Sequence, residues 1–275
     1  MARTGTAREG DGGRPLVQVE GLHKSFDETP VLKGIDLAFA PHRTTVVLGP
    51  SGCGKSVLLK HLVGLLRPDQ GEVRFDGERI DTLPEREFTR IRRQFGFLFQ
   101  MGALFDSLKV SENIEFPLRE AGIADPDERH ERIREVLSMV GLEACMSMMP
   151  ADLSGGQRKR IALARSIVLR PRVVLYDEPT TGLDPIRSDV INELILKLQH
   201  ELEATSIVVT HDLTSAFKVA DHMVLMLDGR IVMEGPPERF RAPEDPEIAR
   251  FMQGRASDQE LAAIRESTSR TGAAT

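Results

Sequence analysis

The sequence predicts an α/β fold in which helices cover the faces of a mostly parallel sheet. Two observations carry this prediction. From residue 155 onward, helical and extended patterns alternate along the chain, which is typical of parallel sheets connected by helices. Nearer the N-terminus, an apolar strand at Thr44–Leu48 leads through a glycine-rich loop into an apolar helical segment at residues 57–63.

The remaining elements follow from hydrophobic periodicity and from the Gly and Pro residues that bound each run. Residues 16–19 and 32–39 read as strands, and residues 71–75 followed by Asp76-Gly77 read as part of a hairpin. Residues 105–150 have helical periodicity, with Ile133, Val136, Leu137 and Val140 on one face, and are expected to form a separate helical lobe.

The C-terminal half is predicted to continue with a helix at 161–169, a strand at 173–176, a helix at 185–203 and a strand at 206–210. In the helix at 185–203, apolar residues recur every four positions, so this helix is expected to bury a broad stripe against the sheet. The stripe consists of Ile186, Val190, Ile191, Leu194, Ile195, Leu198 and Leu202.

Composition places the chain among folded globular proteins. Its 275 residues are 40% hydrophobic and 28% charged, close to the averages for domains with a buried core. No window approaches ~18 consecutive apolar residues, and the first 14 residues lack the apolar stretch of a signal peptide. We therefore expect neither secretion nor a membrane span, with flexible segments only at the two ends.

Charge and cysteine content exclude further classes. The chain has 36 Lys and Arg against 42 Asp and Glu, a formal net charge of −6, which argues against a dedicated nucleic-acid binder. Its two cysteines, Cys53 and Cys145, have no metal-site or disulfide spacing, so a reducing cytosol is expected.

A phosphate-binding loop is the strongest motif in the sequence. The pattern Gly-x-x-x-x-Gly-Lys-Ser is that of the P-loop, whose backbone N–H groups and following helix N-terminus bind phosphate oxygens. Lys55 is expected to reach the β- and γ-phosphates of ATP, and the Ser56 hydroxyl to ligate Mg²⁺. A catalytic thiol is not expected at Cys53, because no base is paired with it. The loop comprises Gly49, Pro50, Ser51, Gly52, Cys53, Gly54, Lys55 and Ser56.

Two adjacent carboxylates follow the apolar strand at 173–176. A P-loop site needs one acid for the Mg²⁺ shell and another to orient or deprotonate the attacking water. Ligands of open α/β sheets bind at the carboxyl ends of strands, where both acids fall. We therefore predict that Asp177 serves the metal and Glu178 the water.

With these two motifs, the run Leu153-Ser154-Gly155-Gly156-Gln157 makes the chain resemble the nucleotide-binding subunits of ABC transporters. The resemblance implies the ABC type of P-loop NTPase: a RecA-like core, an antiparallel β subdomain and a helical subdomain at about 103–165. The ATPase domain is expected to span residues 15–254. It would lie between a flexible N-terminus, 1–14, and a C-terminal tail, 255–275.

The same resemblance implies roles for further residues. Ser154, Gly155, Gly156 and Gln157 would contact the γ-phosphate of ATP bound to a second protomer, in an ATP-bound homodimer. Gln100 would touch Mg²⁺ and the water, His211 would hold the γ-phosphate, and Asp184 would cross the dimer interface. Phe26 falls where the family stacks an aromatic ring on adenine, although core packing explains a Phe there about as well.

One segment indicates a branch of the family. Residues 102–105 and 116–120, together with 184–186, resemble the ATPases of Mla/MCE lipid-transport systems. This implies transport of phospholipid or another hydrophobic substrate, membrane permease subunits, an MCE-domain partner, and a peripheral location on the cytoplasmic face of the inner membrane. Two alternatives stay open: the ATPase of a polar-solute importer, and a soluble ABC protein acting on ribosomes or DNA.

Overall fold

The computed structural model describes residues 14–255, in which the chain divides into two units, one ending at Glu234 and one beginning at Gly235. Nearly all of the N-terminal segment, 1–14, and of the tail, 255–275, both predicted to be flexible, lies outside the described residues. The strands are β1 Val17–Phe26, β2 Thr29–Phe39, β3 Thr44–Leu48, β4 Gln70–Phe75, β5 Glu78–Arg79, β6 Phe95–Leu98, β7 Val173–Asp177, β8 Thr205–Thr210, β9 His222–Leu227 and β10 Arg230–Gly235. The helices are α1 Lys55–Leu62, α2 Glu85–Arg92, α3 Val110–Glu120, α4 Pro126–Met139, α5 Gly155–Ile167, α6 Pro185–Glu201, α7 Leu213–Val219 and α8 Pro246–Met252.

Two sheets form the framework. The larger has the order β10-β9-β3-β8-β7-β6, and its neighbours from β9 through β6 run parallel. The smaller has the order β2-β1-β4-β5 and is antiparallel. Strands β3, β7 and β8 are buried at every residue, as expected for a parallel sheet covered on both faces. The predicted α/β class with an antiparallel β subdomain is confirmed.

The helical segment is joined to the sheet through α5. Helices α3 and α4 pack on each other and on α5, and α5 also packs on β6. We call the run 153–157 the signature motif; its last residue, Gln157, lies in the first turn of α5. A movement of α5 would therefore change both the helical segment and the sheet.

The predicted stripe on α6 is wrong at its N-terminal end. Ile191, Ile195 and Leu198 are buried, but Ile186 is 79% exposed and Val190 is 42% exposed. Each i to i+4 step turns about 40° past a full circle of the helix. A row of such steps therefore winds off the buried face within two or three turns.

This difference predicts unequal effects of truncation along one helix. Ile195→Ala is expected to destabilise the fold by about 2–5 kcal/mol, because it leaves a cavity in the core. Ile186→Ala, the matched control on the exposed face, is expected to change stability by less than about 0.5 kcal/mol. Thermal unfolding of both variants checks this, and equal losses would contradict the burial assigned to α6.

Candidate functional site

The P-loop connects the buried strand β3 to α1, which begins at Lys55. The turn has no room for a side chain at its first residue. A Cβ on Gly49 would lie 2.3 Å from the main-chain oxygen of Met226 and 2.6 Å from Cys53 Sγ. Glycine is therefore required here for the close approach of two backbone segments.

Lys55 lies buried beneath this loop. Its Nζ donates hydrogen bonds to the carbonyl oxygens of Gly49, at 2.7 Å, and Pro50, at 3.0 Å. The same Nζ lies 3.6 Å from Glu178 Oε1. The ammonium thus lies between the loop and the acid that follows β7, where a phosphate could replace its carbonyl partners.

Ser56 and Asp177 are brought together by α1 and β7. Ser56 Oγ donates to Asp177 Oδ1 at 2.9 Å. Burial raises the pKa of Asp177, and the hydrogen bond from Ser56 opposes this shift. A buried carboxylate beside a hydroxyl is a donor set of hard oxygens, which fits Mg²⁺. Residues 14–255 contain no group of three or more His, Cys, Asp or Glu that could hold a metal, so such an ion would need phosphate and water ligands as well.

Glu178 is held by three donors. Its Oε2 lies 2.9 Å from His211 Nδ1, and it accepts hydrogen bonds from Thr181 Oγ1 at 3.2 Å and Thr210 Oγ1 at 3.3 Å. The pairing of Asp177 with Val209 in the parallel sheet brings the ends of β7 and β8 to one edge. The carboxylate is therefore fixed there by Thr210 at the end of β8, by His211 directly after it and by Thr181 in the loop after β7.

These groups line one cleft of about 240 Å³. The cleft contains residues of the P-loop, the acid after β7, the histidine after β8 and the glutamine beyond β6. Its predicted site residues are Ser51, Gly52, Gly54, Lys55, Ser56, Gln100, Glu178 and His211. Asp177 is connected to the cleft by the hydrogen bond that it accepts from Ser56.

The predicted signature residues and Asp184 lie outside this cleft. Ser154 and Gln157 form a capping box at the start of α5, and Ser154 is exposed. Asp184 caps α6 by accepting from the Arg187 backbone N–H at 3.0 Å. A Cβ on Gly156 would lie 3.3 Å from Arg187 Cδ, so the two helix starts are neighbours.

Phe26 and Cys53 were also considered from the sequence, and the structure places one at the surface and the other in the interior. Phe26, at the end of β1, is 42% exposed and does not line the cleft, and Lys24 Nζ lies 5.8 Å from its ring centroid. Its contact with adenine stays a prediction. Cys53 is buried, and this burial raises the pKa of its thiol, which disfavours the reactive thiolate.

Sequence reasoning missed Lys159. It occupies the buried face of α5, three residues after Gly156 and four before Leu163. Its Nζ donates to main-chain oxygens of the loop that follows β7. A lysine in phase with buried apolar positions was the signal that could have found it.

Comparison with known proteins identifies the family. The family model described as ABC transporter matches residues 32–181. The "probable ribonucleotide transport ATP-binding protein mkl" of Mycobacterium leprae is 40% identical over 249 residues, which is 90% of this chain and 72% of that protein. The "intermembrane phospholipid transport system ATP-binding protein MlaF" of Haemophilus influenzae is 37% identical over 239 residues, 87% of this chain and 90% of that protein.

Solved structures agree. CbiO1 of Clostridium perfringens, described as part of an ABC transporter complex, superposes with a TM-score of 0.78 at 31% identity, covering 92% of this chain and all of that one. An ATP-binding cassette solved as a dimer with ADP and phosphate superposes with a TM-score of 0.74 at 34% identity, covering 80% and 98%. No helix within residues 14–255 is long and apolar enough to cross a membrane. The chain belongs to the ATP-binding proteins of ABC transporters, and it hydrolyses ATP to drive transport.

Proposed function

We propose that the chain energises transport of phospholipid or another hydrophobic substrate together with an MCE-type system. The observation that carries this proposal is the match to MlaF, which extends over 87% of this chain and 90% of MlaF, a protein named for intermembrane phospholipid transport. The match leaves little of MlaF without a counterpart. Likeness along nearly the whole length supports a shared role in the transporter.

Exposed apolar side chains on both sides of Gln100 support a membrane-embedded partner. We call it the docking patch; Met101 is 90% exposed, and the rings of Phe105 and Phe116 lie 5.1 Å apart in an edge-to-face pair. Contiguous exposed apolar side chains mark surfaces that bind other proteins. The docking patch consists of Phe99, Met101, Phe105 and Phe116, and we propose that it receives the permease at the cytoplasmic face of the inner membrane.

In the proposed reaction, the backbone N–H groups of residues 51–56 and the Lys55 ammonium bind the ATP phosphates. Ser56, Asp177 and Gln100 would hold Mg²⁺, which when bound neutralises phosphate charge. Glu178 orients the attacking water and accepts its proton, while His211 holds the γ-phosphate beside it.

The signature residues, of which Ser154 is exposed, are proposed to act on a second copy of the chain. Ser154 and the two glycines after it offer a hydroxyl and free backbone N–H groups at the start of a 13-residue helix, outside the chain's own cleft. Asp184 lies close to them, at the start of α6. Each chain would thus complete the ATP site of its partner in an ATP-bound homodimer.

A second candidate is the ATPase of a polar-solute importer. The name of the relative mkl refers to ribonucleotide transport, and it is 40% identical to this chain. Ribonucleotides are polar solutes, so this relative favours a different substrate from MlaF. The two candidates share the ATPase reaction and differ in the partners of the chain.

The experiment is co-purification of the tagged chain from its native membranes in mild detergent, with mass spectrometry of the retained proteins. Recovery of an integral permease with an MCE-domain protein is expected. A solute permease with a solute-binding protein would favour the second candidate, and recovery of no membrane protein would contradict both.

A pair of variants makes this test specific. Met101→Glu places a charge in the docking patch and is expected to release the permease. Leu65→Glu is the matched control, because Leu65 is also exposed but lies outside the docking patch. Loss of the permease with both variants, or with neither, would contradict the proposed docking surface.

A further inference from the structure

Lys159 is a buried cation whose partners are all main-chain oxygens. The residue is 8% exposed, and Nζ donates to the carbonyls of Thr181 at 2.7 Å, Pro179 at 2.8 Å and Glu178 at 3.4 Å. Three N–H donors therefore meet three carbonyls of one short loop. An ammonium group has just three donors, so its hydrogen-bonding capacity is fully used.

Burial of this ammonium is unfavourable in itself. Burial lowers the pKa of Lys159 to about 8, although the negative charge of Glu178 acts in the opposite direction. A methionine or leucine would fill the same space without a desolvation cost. The presence of a cation is explained by its hydrogen bonds to the loop.

The loop that Lys159 holds contains an unfavourable backbone conformation. Glu178 has a φ of +49°, in the left-handed region that non-glycine residues rarely adopt. Such conformations persist only where surrounding contacts hold them, and they cluster at functional sites. The Glu178 N–H donates to the carbonyl of Val209 at 3.0 Å, and Lys159 binds the carbonyls that follow. The backbone is thereby held on both sides of the strained residue.

We propose that Lys159 is a positioning residue that holds the loop from Glu178 to Thr181 so that the Glu178 carboxylate points into the ATP cleft. This inference rests on the role proposed for Glu178. The buried Lys159 side chain touches neither the P-loop nor the docking patch through its hydrogen bonds. It acts on the reaction through the geometry of Glu178.

Lys159 also connects this geometry to the signature residues. Ser154 and Lys159 are five residues apart on α5, about 7.5 Å along the helix axis. Because one rigid helix contains both, a shift of the signature residues moves the ammonium and with it the carbonyls of the loop. The position of Glu178 thus depends on the position of α5.

The test is steady-state ATPase kinetics of the purified full-length chain. Lys159→Met keeps the length of the side chain and removes all three donors. If the Met variant does not fold, Lys159→Ala replaces it. Either is expected to lower kcat by about 10–100-fold, the usual effect of a small misplacement of a catalytic group. The KM for ATP is expected to change little, whereas the melting temperature is expected to fall, because carbonyls of buried residues lose their donor.

Lys159→Gln, whose amide keeps two N–H donors, is expected to recover part of kcat. The matched control is Lys197→Met, because Lys197 is exposed and also bonds a carbonyl, that of Met139 at 3.0 Å. An unchanged kcat in a folded Met or Ala variant would overturn the proposal. So would a KM that rises in proportion to the loss of kcat, or a Gln variant no faster than the apolar variant.

A double variant separates this proposal from the role of Glu178. If Lys159 acts through Glu178, adding Lys159→Met to Glu178→Gln lowers the residual rate no further, because the two effects are not additive. Additive losses would overturn the action of Lys159 through Glu178. Full turnover by Glu178→Gln alone would instead show that the role proposed for Glu178 is wrong.

Discussion

Glu178→Gln is expected to lower kcat for ATP hydrolysis by about 10²–10⁴-fold, the usual contribution of a positioned general base. The amide keeps the shape of the side chain and can still accept from His211, Thr181 and Thr210. It cannot accept a proton from the water. ATP should therefore stay bound, and two copies of the chain should stay together around it.

Three measurements check this expectation: ATPase rates, ATP binding, and size-exclusion chromatography with and without ATP. Glu131→Gln, on the exposed face of α4, is the matched control and should behave as the wild type. Turnover close to the wild-type rate would remove Glu178 from the role of base. Loss of ATP binding would mean that the carboxylate acts on the nucleotide rather than on the water.

Lys55→Ala is expected to weaken ATP binding by about 30-fold or more. Truncating one partner of a buried, hydrogen-bonded charge pair costs about 2 kcal/mol or more, which is about that factor in affinity. Removal of Lys55 also leaves Glu178, 3.6 Å from Nζ, without its buried counter-charge. The loss of the ammonium and the unpaired charge of Glu178 both weaken binding of the negatively charged ATP phosphates.

Titration with a fluorescent ATP analogue and the ATPase rate at saturating ATP measure this effect. Lys60→Ala is the control, because Lys60 lies on the same helix but is exposed. Equal weakening by both variants would indicate a general effect of charge. Wild-type affinity and rate in Lys55→Ala would mean that the P-loop does not bind phosphate.

Much of the site was predictable because it depends on short stretches of chain. The P-loop needs only a strand, glycines and a helix start within a dozen residues, and Asp177 and Glu178 follow directly from a buried strand. The capping box of Ser154 and Gln157 is equally local. Each of these features is formed mainly by residues close together in the chain, so sequence spacing is enough to indicate it.

The sequence by itself determined the fold class, the phosphate loop and the pair of acids. Only the tertiary structure decided what surrounds Glu178, since Thr210 and His211 reach it through the register of β7 and β8. It also decided that Lys159 is buried against that loop and that Ile186 is exposed. These features depend on which distant segments pack together, and hydrophobic periodicity specifies the face of a helix but not its neighbour.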